Sequence, residues 1–156
     1  MRNPLETEIK HRLRQKQSKK DILASLRTEE NKDTLQHMLN NLPGHERNKQ
    51  MLPVRLVVIV LLILLTIKQF LFIYLHEVSS VDLMLGLIGP LIHIYILREL
   101  LRNHRLSYQI LPFLSVLALL RPENRITPDM YMYMGMALLS GLLLLFLFPK
   151  KERIAY

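Results

Sequence analysis

Residues 53–75 read PVRLVVIVLLILLTIKQFLFIYL. As a helix these 23 residues extend about 34 Å, enough to cross a hydrocarbon layer of about 30 Å. Pro53 suits a first helical position, where its missing N–H leaves nothing unsatisfied. The stretch ends at His76-Glu77, and Ser79, Ser80 and Asp82 predict a short polar turn.

Three more apolar stretches follow. One runs over 82–101, contains Gly86, Gly89 and Pro90, and ends in a polar extension through Arg98 and Arg102. Proline inside a helix removes a hydrogen bond and clashes with the preceding turn, so a kink is expected at Pro90. The next, 106–120, is about 22 Å long and carries Pro112. By length alone it reads either as a crossing or as a re-entrant segment. The last, 128–148, is clearly bounded, with Thr127 as a helix cap, Pro128 as first residue, Asp129 complementing the dipole and Pro149 as a stop.

Composition divides the chain at the same place. Of 78 hydrophobic residues, 14 lie in 1–52 and 64 in 53–156. Such a split excludes an ordinary soluble enzyme domain, and the lack of cysteine excludes a disulfide scaffold. The expected fold is all-α: an integral membrane four-helix bundle behind short amphipathic N-terminal helices. The expected units are a cytoplasmic segment 1–52, a bundle 53–148 and a basic tail 149–156.

Charge orients the bundle. Residues 1–55, 98–105 and the tail from Lys150 hold 12, 3 and 3 of the 21 Lys and Arg. The segments 76–82 and 121–129 hold 0 and 2. Basic residues accumulate on the cytoplasmic side, so both termini are expected there, in the inner (plasma) membrane. This count favours a crossing for 106–120, since otherwise the basic tail would lie outside. No apolar run of signal-peptide length is visible in the first 50 residues.

The leader reads as three short helices. Leu5, Ile9 and Leu13 form a narrow stripe. Ser18 and Asp21 make an S-x-x-D start signal for a second helix carrying Ile22, Leu23 and Leu26. Leu35, Met38, Leu39 and Leu42 supply a third, ended by Leu42-Pro43-Gly44. Its mixed charges and lack of a recognition helix argue against nucleic acid. Arg47, Lys49 and Arg55 stand next to the membrane as candidate contacts to anionic headgroups. Exposed apolar stripes would suit a protein partner or self-association.

Candidate chemistry is sparse. Lys68, with Gln69 beside it, is an intramembrane charge that reads either as a snorkelling lysine or as part of an ion, proton or substrate path. His93 lies near mid-membrane, after the Gly89-Pro90 break, and reads as a packed or a relay histidine. Thr66, Gln109, Ser115 and Ser140 are candidates to extend a polar cluster. Met130, Met132, Met134 and Met136 alternate with Tyr131, Tyr133 and Gly135. Thioethers suit Cu(I), but at most two of the four share a helix face. The segment is read as packing plus an outer aromatic belt, with Ala137 and Gly141 as a small-residue contact. Zinc-protease, phosphate-loop, serine-elbow and cysteine-pair motifs are absent, so neither catalysis nor a cofactor or metal is expected.

The stretch Asn41-Leu42-Pro43-Gly44-His45-Glu46-Arg47-Asn48-Lys49 joins the basic leader to the Leu/Ile/Val-rich bundle. This layout resembles small bacterial polytopic membrane proteins of uncharacterised role, over roughly residues 30–75. The resemblance implies a location and an architecture without an activity. The expected function is a non-enzymatic interaction, regulatory or assembly subunit that meets a partner, a sister subunit or membrane lipid. The alternative is a small transporter or channel subunit using Lys68 and His93 in an oligomer.

Overall fold

The computed structural model describes residues 4–28, 31–75, 80–126 and 128–149. Among them the secondary structure is helical, with no strand. The leader holds α1 (Pro4–Arg14), α2 (Lys19–Leu26), α3 (Lys32–Asn41) and α4 (His45–Gln50). The apolar half holds α5 (Leu52–Leu75), α6 (Ser80–Leu101), α7 (Arg105–Ala118) and α8 (Asp129–Leu147), with a 3-10 turn, Pro122–Arg125, before α8. Helices α5–α8 pack as a ring in which α5 touches α6 and α8, and α7 touches α6 and α8.

Local chemistry explains several helix ends. Ser18 Oγ accepts the Asp21 backbone N–H, capping α2 as its S-x-x-D signal predicts. Helix α1 closes with the Lys16 N–H donating to Leu13 and the Gln17 N–H to Arg12, while Lys16 takes φ 64°. Helix α6 closes in the same way: Asn103 (φ 60°) donates to Leu100 and His104 donates to Glu99. Both are Schellman ends, which place one residue in the left-handed region. Asparagine tolerates that region better than most residues, which suits Asn103. At the far end of α7, Asn124 Nδ2 donates to the Ala118 carbonyl and Arg125 Nε to Leu119, so side chains satisfy carbonyls that the short helix leaves open.

Several sequence-based expectations change. Helix α4 fills most of the stretch read as a plain connection, so the leader enters α5 after a single turn residue, Met51. Pro128 is the cap of α8, and the helix begins at Asp129. Helices α6 and α7 each continue through their proline, Pro90 and Pro112, as the single helical stretches read from the sequence. Thr127, His76-Glu77, Ser79 and the tail from Lys150 lie outside the described residues.

The two halves bury their apolar residues differently. Ile9, Leu13, Ile22, Leu35, Leu39 and Leu42 form a small core inside the leader. The stripes read as open to a partner are therefore turned inward, because three short helices cover one another. In the bundle, α5 buries only Val58, Ile59, Leu62 and Leu65, while Leu56, Val60, Ile67 and Leu71 are exposed. The buried set meets Ile96 and Leu100 of α6, Tyr108 and Leu111 of α7, and Tyr133, Met136, Leu143 and Leu147 of α8. The Tyr108 and Phe148 rings pack tilted, 5.8 Å between centroids. Leu52–Leu75 and Asp129–Leu147 are long and apolar enough to cross a membrane, by length and composition.

Candidate functional site

Polar residues gather at two levels of the bundle. At the level of Lys68, α5 and α8 are tied by an ion pair between Lys68 Nζ and Asp129 Oδ2. The lysine is about half exposed and the aspartate nearly buried. Asp129 stands in the first turn of α8, where the helix dipole also favours a negative charge. One residue on, Gln69 Nε2 donates to the Tyr133 hydroxyl at 3.5 Å. Gly89 of α6 packs against the same carboxamide: a Cβ at that position would meet Gln69 Oε1 at 3.0 Å. This is the close helix approach that a small residue allows. No side chain stands within 4 Å of the corresponding point at Gly141.

The cluster differs from the one expected. Lys68 turns to Asp129, whose place in the sequence indicates only a complement to the helix dipole. Tyr133, read as belt, faces the interior and is 4% exposed, while Tyr131 is exposed. Met136 is buried and Met132 packs against the core, whereas Met134 is exposed. Thr66, Ser115 and Ser140 donate to Leu62, Leu111 and Met136 of their own helices. Such i−4 bonds satisfy hydroxyls locally and leave them outside any shared cluster. Gln109 is exposed. His93 is one helical turn beyond Gly89 and half-buried. Among the described residues its Nδ1, Gln69 Oε1 and Asp129 Oδ1 are buried polar atoms without a hydrogen-bond partner.

The second gathering lies where the leader meets the bundle. Arg55 Nη1 donates to Asn48 Oδ1 at 2.8 Å and also to Asn103 Oδ1. Tyr108 OH reaches the same Asn103 oxygen at 3.4 Å. One guanidinium thus joins α4, α5 and the α6–α7 turn. Arg47 Nη1 donates to the Phe146 carbonyl in the last turn of α8, where a cation suits the dipole. Lys49 is exposed. Of the three candidate lipid contacts, Arg47 and Arg55 therefore also bind the protein itself.

His104 joins the halves. Its Nδ1 lies 2.5 Å from Glu99 and its Nε2 3.1 Å from Glu6 of α1. A neutral imidazole has one N–H, so both contacts are hydrogen bonds only when the ring carries two protons. Lys10 adds a 2.5 Å contact to Glu6, and Arg102 lies 3.8 Å from Glu99. Partial burial raises the Glu6 carboxyl, but the hydrogen bonds from Lys10 and His104 outweigh it and hold the group below its ordinary 4.5. The folded state thus favours ionised Glu6. Its contribution to docking is complete above about pH 4.5 and is lost as pH falls through the lower folded value. Protection of the α1 amides, corrected for the intrinsic pH dependence of exchange, should fall as pH drops from 4.5 through the lower folded value, with a weaker change in Glu6→Gln. No sequence signal pairs Glu6 with His104, because 98 residues separate them.

Among the described residues no group of three or more His, Asp or Glu is placed to hold a metal ion. No family model, no curated protein and no solved structure matches this chain.

Proposed function

We propose that the chain is a non-enzymatic, multi-pass protein of the plasma (inner) membrane that serves as an interaction or assembly subunit. The observation that carries this reading is the contrast between its halves. The leader buries its apolar residues. In the most apolar eighteen-residue windows of α5 and α8, only 17% and 28% of residues are buried. The core helix of a soluble protein would be mostly buried, whereas lipid accepts apolar side chains on every outward face.

On this reading α5–α8 are four crossings, with both termini cytoplasmic by the distribution of Lys and Arg. Helix α6 is about 33 Å long and α7 about 21 Å. The capped far end of α7 and local bilayer thinning accommodate the shorter one. The folded leader is then a cytoplasmic cap held by Arg55, Arg47 and His104. It presents a polar, basic surface to a protein partner, a sister copy or anionic lipid.

Reporter fusions test the topology. A fusion after Tyr156 should report the cytoplasm and one inserted within 122–126 the opposite side; the same side for both rejects four crossings. Light scattering of the purified chain in mild detergent tests the assembly role. A strict monomer with no stoichiometric companion and no preference for anionic lipid rejects it.

The buried polar atoms of Gln69, His93 and Asp129 favour a second reading, a transport or channel subunit. It requires Lys68→Leu and His93→Leu to abolish a measurable flux in proteoliposomes.

A further inference from the structure

Where α1 and the α3–α4 turn face the α6–α7 turn, the surface holds an open cavity of about 90 Å³. That is several times the room one water needs and well below a drug-sized pocket, the scale of a single phosphate group. Its apolar wall includes Leu13 and Leu42. Its polar wall is Lys10, Arg14, His45, Asn48 and Asn103, with no carboxylate among the lining residues.

The surrounding bonds determine which ends of these side chains are available. Asn48 and Asn103 both turn Oδ1 to Arg55, so the end of each carboxamide left over is its NH2 donor. The Arg55 charge stands behind both amides. Among the described residues Arg14 makes no ion pair. Lys10 shares its charge with Glu6 at 2.5 Å. Glu46, next to His45, is engaged by Lys16 at 2.9 Å. A small concavity lined by cations and amide donors, without an acceptor charge of its own, is the chemistry of an anion site.

We propose that this cavity binds a phosphate group, with Arg14 and Lys10 supplying charge, and His45, Asn48 and Asn103 supplying hydrogen bonds. The proposal rests on the membrane reading only for the source of the phosphate. If α5 and α6 cross the bilayer, Arg55 and Asn103 stand at its cytoplasmic surface, where lipid phosphates lie. A soluble phosphate would use the same donors.

The test uses the full chain in an uncharged detergent, with inorganic phosphate titrated by calorimetry. Native mass spectrometry then compares phosphatidic acid with phosphatidylcholine. Phosphate should bind saturably. Arg14→Gln and His45→Gln should each weaken binding, the former by about tenfold or more, since it removes a charge-assisted contact. Lys20→Gln, an exposed cation on α2 outside the cavity, should stay within about twofold. Retention of phosphatidic acid that excludes phosphate identifies a headgroup site, and phosphate binding without lipid competition identifies a soluble ligand. Absence of both, or equal weakening by Lys20→Gln, overturns the proposal. Circular dichroism checks that each variant folds; should Arg14→Gln unfold, His45→Gln decides. Recovery of the chain in the aqueous fraction without detergent would reject the membrane reading while leaving the phosphate titration interpretable.

Discussion

Lys68→Leu should destabilise the bundle by about 2–3 kcal/mol, and Asp129→Asn by only about 1 kcal/mol. Removing one member of a buried pair leaves the other as an uncompensated charge, which typically costs about 3–5 kcal/mol. Here the two members are unequal. Asp129 is nearly enclosed, and its Oδ1 already lacks a hydrogen-bond partner. Its place in the first turn of α8 offsets part of the cost through the dipole. Lys68 is half exposed, and its stem lets the ammonium reach polar surroundings when the aspartate is neutralised. Lys68→Leu combined with Asp129→Leu should recover most of the loss. The measurement is denaturant unfolding in micelles, followed by helical circular dichroism for wild type, both single variants and the pair. Equal losses from the single variants would mean that the pair is not an asymmetric clasp, and no loss would mean that it contributes nothing.

Leu39→Ala should unfold the leader while sparing the bundle. Leu39 is fully buried in a core built, among the described residues, on six buried side chains. Truncating a buried leucine costs about 2–5 kcal/mol. A core this small supplies about 3–5 kcal/mol at most, so the substitution removes most of its margin. Limited proteolysis should cut wild type slowly and Leu39→Ala rapidly before residue 45, leaving a resistant fragment that contains α5–α8. Leu64→Ala, which truncates an exposed side chain of α5, is the control and should leave the cleavage pattern unchanged. Persistence of an uncut leader in Leu39→Ala would show that Arg55, Arg47 and His104 hold it without its core.

Those two outcomes also separate what was legible in the sequence from what was not. Signals written within a few residues were readable. Ser18 with Asp21 marks the start of α2, Leu42-Pro43-Gly44 marks the end of α3, and the spacing of Ile9 and Leu13 marks a stripe. The helical class was readable for the same reason, since helix hydrogen bonds close over four residues. The partner of each stripe was not readable. An amphipathic helix states that one face must be covered, not whether its own neighbours or another protein will cover it.

In the apolar half the limit is sharper. Helices α5 and α8 are apolar on nearly every face, so periodicity cannot say which side turns inward. Tyr133 therefore read as belt although it is core, and Gly141 read as a contact although Gly89 makes one. The sequence by itself determined an all-helical chain with a polar leader, four apolar stretches and the local signals that start and end several helices. Only the tertiary structure decided that Lys68 meets Asp129, 61 residues away, and that His104 reaches Glu6 across 98. Those pairings depend on how helices rotate and pack against one another, which no local pattern of hydrogen bonds or hydropathy encodes.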